Sequence, residues 1–154
     1  MSASDRVPAD PSFSYRAIEN LIAAYAELVD GGDFAGLGAL LADATFIGGG
    51  APVSGADAIE KMFGETVIVY EDGTPRTRHV TSNIAIEVDG SAGTAASRAY
   101  FTALQALPGL PLQPIASGRY HDRFERRDGQ WRFAERRVHV DLVGDVSRHL
   151  RRPR

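Results

Sequence analysis

The sequence predicts an α+β fold, in which helices come first and pack on one face of a curved, largely antiparallel sheet. Apolar residues in the first part of the chain recur at steps of three and four, as on one face of a helix. From Arg76 onward they alternate with polar residues, which is the period of a strand. The 154 residues correspond to a single domain, large enough for a core that contains a pocket.

Three helices are predicted. The first spans residues 13–30 and presents one apolar face, formed by Ile18, Leu21, Ile22, Tyr25, Leu28 and Val29. Gly31 and Gly32 end it, since glycine readily adopts the left-handed conformation of a helix stop. Asp33 is expected to cap a short second helix. Ser54 is expected to begin a third helix in a capping-box-like arrangement.

Five strands are predicted. A short one covers residues 44–47, and long ones cover residues 76–89, 94–107, 117–127 and 131–143. Asp128-Gly129 is a strong hairpin signal between the last two. Three prolines, Pro108, Pro111 and Pro114, indicate a loop before the strand at 117. Residues 1–12 are expected to be a flexible lead-in and residues 148–154 a frayed basic tail, which leaves residues 13–147 as the domain.

Composition excludes several classes of function. The net charge of −3 gives no electrostatic reason to expect nucleic acid or an anionic membrane as a partner. The start of the chain has no apolar segment, and no stretch approaches the roughly 20 apolar residues of a membrane span. We therefore expect a soluble, cytoplasmic protein.

Cofactor and metal chemistry is not expected. The absence of cysteine excludes disulfides, thiolate metal sites and cysteine nucleophiles. His121, His139 and His149 lack the compact spacing of a metal site. Gly48-Gly49-Gly50 is not followed by the residues that a phosphate-binding loop requires. The interpretation is a cofactor-free protein without a metal site.

Several short segments together resemble the SnoaL-like branch of the nuclear-transport-factor-two-like superfamily. Their order and spacing carry the resemblance, which covers about residues 13–147; the segments are residues 25–34, 54–59, 79–83, 118–124 and 128–133. The resemblance implies a cone-shaped α+β barrel, with a curved antiparallel or mixed sheet and three N-terminal helices packed on its concave face. The superfamily includes dehydratases, a dehydrochlorinase, isomerases, an epoxide hydrolase, polyketide cyclases and dioxygenase small subunits, so fold alone does not give function.

Asp30 and His79 are the leading candidates for catalysis. Asp30 lies in the last turn of the first helix, where a carboxylate faces the negative end of the helix dipole at a cost of a few tenths of a kcal/mol. A nearby imidazole would offset that cost. The dehydratase and dehydrochlorinase relatives use a histidine base oriented by an aspartate, and the resemblance maps these roles onto His79 and Asp30. The alternative is a solvent-facing His79, because the isoleucines and valines of its strand lie on the opposite parity.

Other residues are secondary candidates. Tyr25 resembles a pocket tyrosine of some dehydratases, although simple core packing also explains it. Arg136 resembles a basic residue beside the leaving group, and it must point to the opposite face from Arg137. Asn83 shares the parity of His79 and is a candidate for substrate binding. Phe46 and Tyr120 are further candidates for substrate contacts.

The sequence thus favours a small, cofactor-free lyase or isomerase of the dehydratase type, acting on an apolar, ring-containing molecule. The alternative is a non-catalytic ligand-binding or assembly module, similar to the small subunits of ring-hydroxylating dioxygenases. A homodimer or homotrimer is expected, because apolar residues occur on both parities of the last strand: Trp131 and Phe133 on one, and Val138, Val140 and Leu142 on the other.

Overall fold

The computed structural model describes residues 11–152 and confirms the α+β fold, with three helices and one six-stranded mixed sheet. The helices are α1 (Pro11–Asp30), α2 (Phe34–Leu40) and α3 (Ala56–Thr66). The strands are β1 (Thr45–Ile47), β2 (Val53–Ser54), β3 (Thr77–Asp89), β4 (Thr94–Leu107), β5 (Leu110–Arg127) and β6 (Gln130–Val143). Most of the expected lead-in, residues 1–12, lies outside the described residues, but Pro11 and Ser12 already belong to α1.

The sheet has the order β2-β1-β6-β5-β4-β3. The four long strands form an antiparallel meander, and the short β1 adds to β6 in parallel. Helix α1 lies against the inner face of the sheet with its predicted apolar stripe; the buried residues of this helix are Ile18, Ile22, Tyr25 and Val29. The main core therefore lies between the helices and the sheet, and it includes Phe124 and Phe133 from β5 and β6.

β-Bulges change which residues face the core. In β6, Phe133 pairs with Phe124 while Glu135 pairs with Arg123, so Ala134 is an extra residue and the alternation reverses there. Trp131 and Phe133 are therefore buried on the same inner face that Val138 occupies further along the strand. The expectation that Trp131 and Phe133 lie on the opposite face from Val138 is wrong. One inserted residue moves every later side chain of the strand to the opposite face.

Local signals at the helix starts have mixed outcomes. Asp33 caps α2 as predicted, and its carboxylate accepts a hydrogen bond from the Gly36 N–H at 2.8 Å. Ser54 does not cap α3, because it belongs to β2 and its hydroxyl bonds to the Thr45 hydroxyl at 3.0 Å. The N-cap of α3 is Gly55, which provides no side chain.

Two predicted irregular regions are ordered parts of the fold. Strand β5 begins at Leu110, so Pro111 and Pro114 lie in a strand and not in a loop, at a place where the pairing with β4 is irregular. Of the expected frayed tail, residues 148–152 are ordered, and residues 153 and 154 lie outside the described residues. Leu150 forms a β-bridge with Val67, and the Arg151 N–H donates to the Thr66 carbonyl at 2.9 Å. None of the helices in residues 11–152 combines the length with the apolar character that a membrane span requires.

Close packing of β5 against β6 predicts a large effect of one glycine. A Cβ added at Gly118 would lie 1.9 Å from the His139 carbonyl oxygen, inside a paired sheet that cannot yield without losing hydrogen bonds. We expect Gly118→Ala to lower the free energy of unfolding by about 3 kcal/mol or more. Gly64→Ala is the matched control, because nothing lies near its Cβ position and α3 should gain about 0.5–1 kcal/mol. Urea denaturation measures both, and an unchanged midpoint for Gly118→Ala would contradict the close contact.

Candidate active site

Asp30 and His79 are brought together where α1 ends against the beginning of β3. The His79 Nδ1 lies 2.6 Å from Asp30 Oδ1, and the His79 backbone N–H donates to Oδ2 at 2.7 Å. The Thr77 hydroxyl also donates to Oδ1, at 2.9 Å. The side chains of His79 and Asp30 are only 11% and 12% exposed. The pairing that the resemblance implied is therefore present in the geometry.

The protonation of this pair follows from its contacts. Burial raises the pKa of Asp30, but the hydrogen bonds and charge of His79, together with the Thr77 bond, outweigh burial and hold the pKa below its ordinary value. Asp30 is thus a carboxylate at neutral pH and can only accept hydrogen bonds. The His79 Nδ1 must therefore carry a proton, which in the neutral ring leaves the lone pair on Nε2. That is the tautomer of a general base.

His79 lines a cavity of about 350 Å³ between the sheet, α1, α3 and the C-terminal segment. Its walls are mostly apolar and include Val29, Phe63, Phe101 and Val138. Mostly apolar pockets with a few polar groups are typical small-molecule sites. A second cavity of about 610 Å³ also borders Asp30 and His79, but its lining includes three charged side chains, those of Glu27, Arg76 and Arg78. The apolar cavity is the better candidate because it offers burial as well as the imidazole.

Three candidates from the sequence line the same cavity: Tyr25, Phe46 and Tyr120. The two tyrosine rings meet edge to face at 5.8 Å, and Tyr120 stacks on Phe101 at 4.6 Å. Burial raises the pKa of Tyr25 to about 12, with Arg136 opposing the shift, and burial also raises the pKa of Tyr120. Both phenols are thus protonated at neutral pH and remain potential hydrogen-bond donors.

Arg136 does not line the cavity. It is fully buried behind the two tyrosines, with its guanidinium carbon 3.7 Å from the Tyr120 ring centroid and 4.2 Å from that of Tyr25. Its Nε and Nη2 bind the two oxygens of Asp122, both at 2.9 Å. Burial lowers the pKa of Arg136, but the Asp122 charge more than restores it. The expectation that Arg136 sits beside a leaving group is corrected, because its charge is already paired and screened from the cavity by aromatic rings.

Asn83 is also placed differently from its expected position. Residues Asn83 and Ile84 form a bulge in β3 opposite a single residue of β4, and Asn83 has a φ of 55°. Its side chain is exposed and does not line the cavity. The bulge reverses the alternation, so that Ile86 beyond it packs on the core side, the side to which His79 points before it. The apparent conflict between His79 and the apolar parity of its strand comes from this bulge.

Sequence reasoning missed two contributions to the site. Val146, His149 and Leu150 from the C-terminal segment line the cavity, although this region was expected to be solvated from residue 148. Their spacing of three and four residues was the available signal, since it places side chains on one side of a helical turn. Asp122 was also missed as the partner of Arg136; its signal was a charge on the parity of Tyr120 and Phe124. Among residues 11–152, no group of three or more potential ligands could hold a metal ion.

The buried ion pair behind the tyrosines predicts a strong effect on stability. Asp122→Asn leaves the Arg136 charge buried without its partner, so we expect the free energy of unfolding to fall by about 3–5 kcal/mol. Arg119 and Asp141 provide a matched control, because they form the same two-bond geometry at 2.9 and 3.0 Å but are more than 40% exposed. Asp141→Asn should cost at most about 1 kcal/mol. Equal losses in chemical denaturation would show that burial does not set the strength of the pair.

Comparison with known proteins shows the family of this chain. The model of the SnoaL-like domain matches residues 12–137. No curated protein matches the sequence. Among solved structures, a variant of Rv3472 of Mycobacterium tuberculosis, a protein of unknown function, is 27% identical with a TM-score of 0.72; the match covers 89% of this chain and 78% of that one.

Two further structures share the fold. A candidate scytalone dehydratase of Novosphingobium aromaticivorans DSM 12444 is 25% identical with a TM-score of 0.68, and the match covers 88% and 89% of the two chains. ActVI-ORFA of Streptomyces coelicolor is 20% identical with a TM-score of 0.69, over 85% and 99% of the chains, which shows likeness of fold alone. The family model covers most of the chain, and the helices and sheet agree with it: the protein belongs to the SnoaL-like family.

Proposed function

We propose that this protein is a small, cofactor-free lyase or isomerase of the dehydratase type, with the Asp30–His79 pair as its general base. The observation that carries the proposal is the 2.6 Å contact between His79 Nδ1 and an ionised Asp30, at the wall of a mostly apolar cavity. The resemblance to a candidate scytalone dehydratase supports the same reaction class.

The chemistry follows from the tautomer. His79 Nε2 removes a proton from a carbon next to an activating group of the substrate, and Asp30 stabilises the imidazolium that forms. A phenol of Tyr25 or Tyr120 then donates a hydrogen bond to the departing hydroxyl or halide, or to the developing negative charge. Arg136 acts on these phenols from behind and does not reach the substrate. General-base catalysis of this kind contributes about 10²–10⁴-fold to the rate.

The shape and polarity of the cavity indicate the class of substrate. Its walls are mostly apolar, and few polar side chains line it besides His79. A fixed full charge on the substrate would lose its hydration against these apolar walls, which is costly; Arg152 is the charged side chain in the lining. A mostly apolar ring compound with one or two oxygen or halogen substituents fits both properties.

The alternative function is a non-catalytic binding or assembly module. One observation favours it: large apolar side chains remain exposed on the outer side of the sheet, with Tyr100 at 54% and Leu142 at 68%. Such a module would bind the same ring compounds in the cavity without converting them. Turnover therefore separates the two functions, whereas ligand affinity alone does not.

The Asp30–His79 pair predicts that Asp30→Asn loses turnover. An amide can satisfy the His79 backbone N–H and still donate to Nδ1, which moves the ring proton to Nε2 and removes the base. We expect kcat to fall by about 10²-fold or more, as it does on removing the charge from such a pair. The assay is a screen of ring-containing alcohols, ketones and halides, with His79→Ala as the variant that lacks the base altogether.

Asp33→Asn is the matched control for that experiment. Asp33 lies three residues from Asp30 and serves only as the cap of α2, a role that asparagine fills equally well. It should leave kcat unchanged. Full turnover in Asp30→Asn would remove Asp30 from the mechanism, and full turnover in His79→Ala would overturn the proposed function.

We also propose that the protein forms a homodimer or homotrimer through the outer side of the sheet. Trp131 and Phe133 lie in the core and cannot form this interface, but Val80, Tyr100 and Leu142 are exposed and supply its apolar surface. Sedimentation velocity at micromolar concentration should give a mass of two or three chains, and Tyr100→Ser should weaken the assembly. A clean monomer in the unmodified protein would contradict this proposal.

A further inference from the structure

The C-terminal segment places a second imidazole in the cavity. The His149 ring centroid lies 6.2 Å from that of His79, with 59° between the ring planes, and both rings line the same apolar space. His79 comes from the sheet, whereas His149 comes from the segment that follows β6 and crosses back over the cavity. The dyad mechanism described above does not use this side chain.

The backbone around His149 is held firmly. The His149 N–H donates to the Val146 carbonyl at 3.0 Å, and its carbonyl accepts from the Ile68 N–H at 2.9 Å. The next residue, Leu150, pairs with Val67, and the preceding carbonyl of Arg148 accepts from the buried amide of Gln105 at 3.1 Å. The ring position is therefore set by contacts on both sides and is not that of a loose chain end.

The ring has hydrogen-bonding capacity that the protein leaves unused. Its Nδ1 is buried and has no hydrogen-bond partner among residues 11–152. Because Nδ1 is inaccessible, the ring can offer a hydrogen bond to a molecule in the cavity only through Nε2. Burial, and then the charge of His79, lower the pKa of His149 to about 4. At neutral pH the ring is thus uncharged, with one N–H donor and one lone pair.

We propose that His149 is a second catalytic residue, which donates a hydrogen bond to a carbonyl oxygen of the substrate while His79 removes a proton from the adjacent carbon. This inference depends on the proposed function and specifies its substrate as a ring ketone with an α-hydrogen. The C–H bond breaks and its proton goes to His79 Nε2; the electron pair forms the C=C bond of an enolate, whose oxygen receives the hydrogen bond of His149.

The positions of the His79 and His149 rings are compatible with these two roles. With their centroids 6.2 Å apart on the wall of one cavity, the two rings can contact a C–H group and the neighbouring carbonyl of a single molecule that lies in the cavity beside them. A neutral imidazole polarises a carbonyl without competing with the base for a proton, because it keeps its N–H throughout. Two charged imidazoles at this distance would repel each other, so neutrality of His149 also protects the imidazolium that forms on His79.

The test uses two probes that differ only in the carbonyl, 2-indanone and indane. Binding of each is measured by calorimetry, and removal of the α-proton of 2-indanone is followed by NMR as deuterium exchange in D₂O. The variants are His149→Phe, which keeps the ring shape, and His149→Gln, which keeps an N–H donor. His121→Phe is the control, since His121 is exposed on the outer side of the sheet. Thermal unfolding establishes that each variant is folded.

We expect the unmodified protein to bind 2-indanone more tightly than indane and to accelerate its exchange. His149→Phe should weaken 2-indanone binding about tenfold, as for the loss of about 1.4 kcal/mol, without affecting indane. It should also slow the exchange about 10²-fold, the usual effect of one lost donor to a developing oxyanion. His149→Gln should retain more of both properties, and His121→Phe should retain all of them.

The outcomes separate this inference from the proposed function. If His149→Phe keeps the preference for 2-indanone, or if the unmodified protein has no such preference, the role of His149 is overturned. Exchange that still depends on His79 would then leave the proposed base intact. If His149→Phe loses the preference but the unmodified protein catalyses no exchange, the hydrogen bond of His149 stands as a binding contact, and its catalytic role and the proposed base both fail on this probe.

Discussion

The carboxylate of Asp30 is the junction on which the site depends. It accepts three hydrogen bonds from the first residues of β3: from the Thr77 hydroxyl, from the His79 backbone N–H and from the His79 ring. One side chain thus joins the end of α1 to the sheet, selects the tautomer of the imidazole and supplies its counter-charge. These bonds also offset the unfavourable position of a carboxylate at a helix C-terminus. The same contacts therefore serve the fold and the chemistry.

Insertions in the strands allow one sheet to serve as both core and cavity wall. The bulge at Asn83 and Ile84 lets β3 point His79 towards the cavity at one end and Ile86 towards the core at the other. The extra residue at Ala134 does the same for β6, which buries Phe133 at one end and places Val138 in the cavity wall further along. A bulge also bends its strand and increases the local twist, which favours a curled sheet around a hollow. Curvature and the inward direction of the site residues thus have a common cause.

A fully buried charge supports the apolar cavity from behind. Arg136 is paired with Asp122 and contacts the ring faces of both Tyr25 and Tyr120, with Phe133 close by. Cation–π contacts of this kind hold the rings in place and offset part of the cost of burying the guanidinium. The two phenols that line the cavity are therefore set on a rigid base. The Arg136 charge thus stabilises the positions of the two tyrosine rings without itself lining the cavity.

The sequence by itself determined the fold class, the helices and the long strands except the start of β5, and its resemblance to a family indicated the two residues of the dyad. These features produce local signals: apolar residues at steps of two or of three to four, the glycines after Asp30, and the Asp128-Gly129 turn. Local signals involve only neighbouring residues, so they can be recognised in the sequence alone. It could not determine the placement of Asn83 and Arg136 or the role of His149. A bulge is an extra residue that only its partner strand reveals, and the pairing of Arg136 with Asp122 joins two strands through the core. The C-terminal segment finds its position only through contacts with residues much earlier in the chain, Val67 and Ile68, because pairing between distant segments is decided by the assembled tertiary structure.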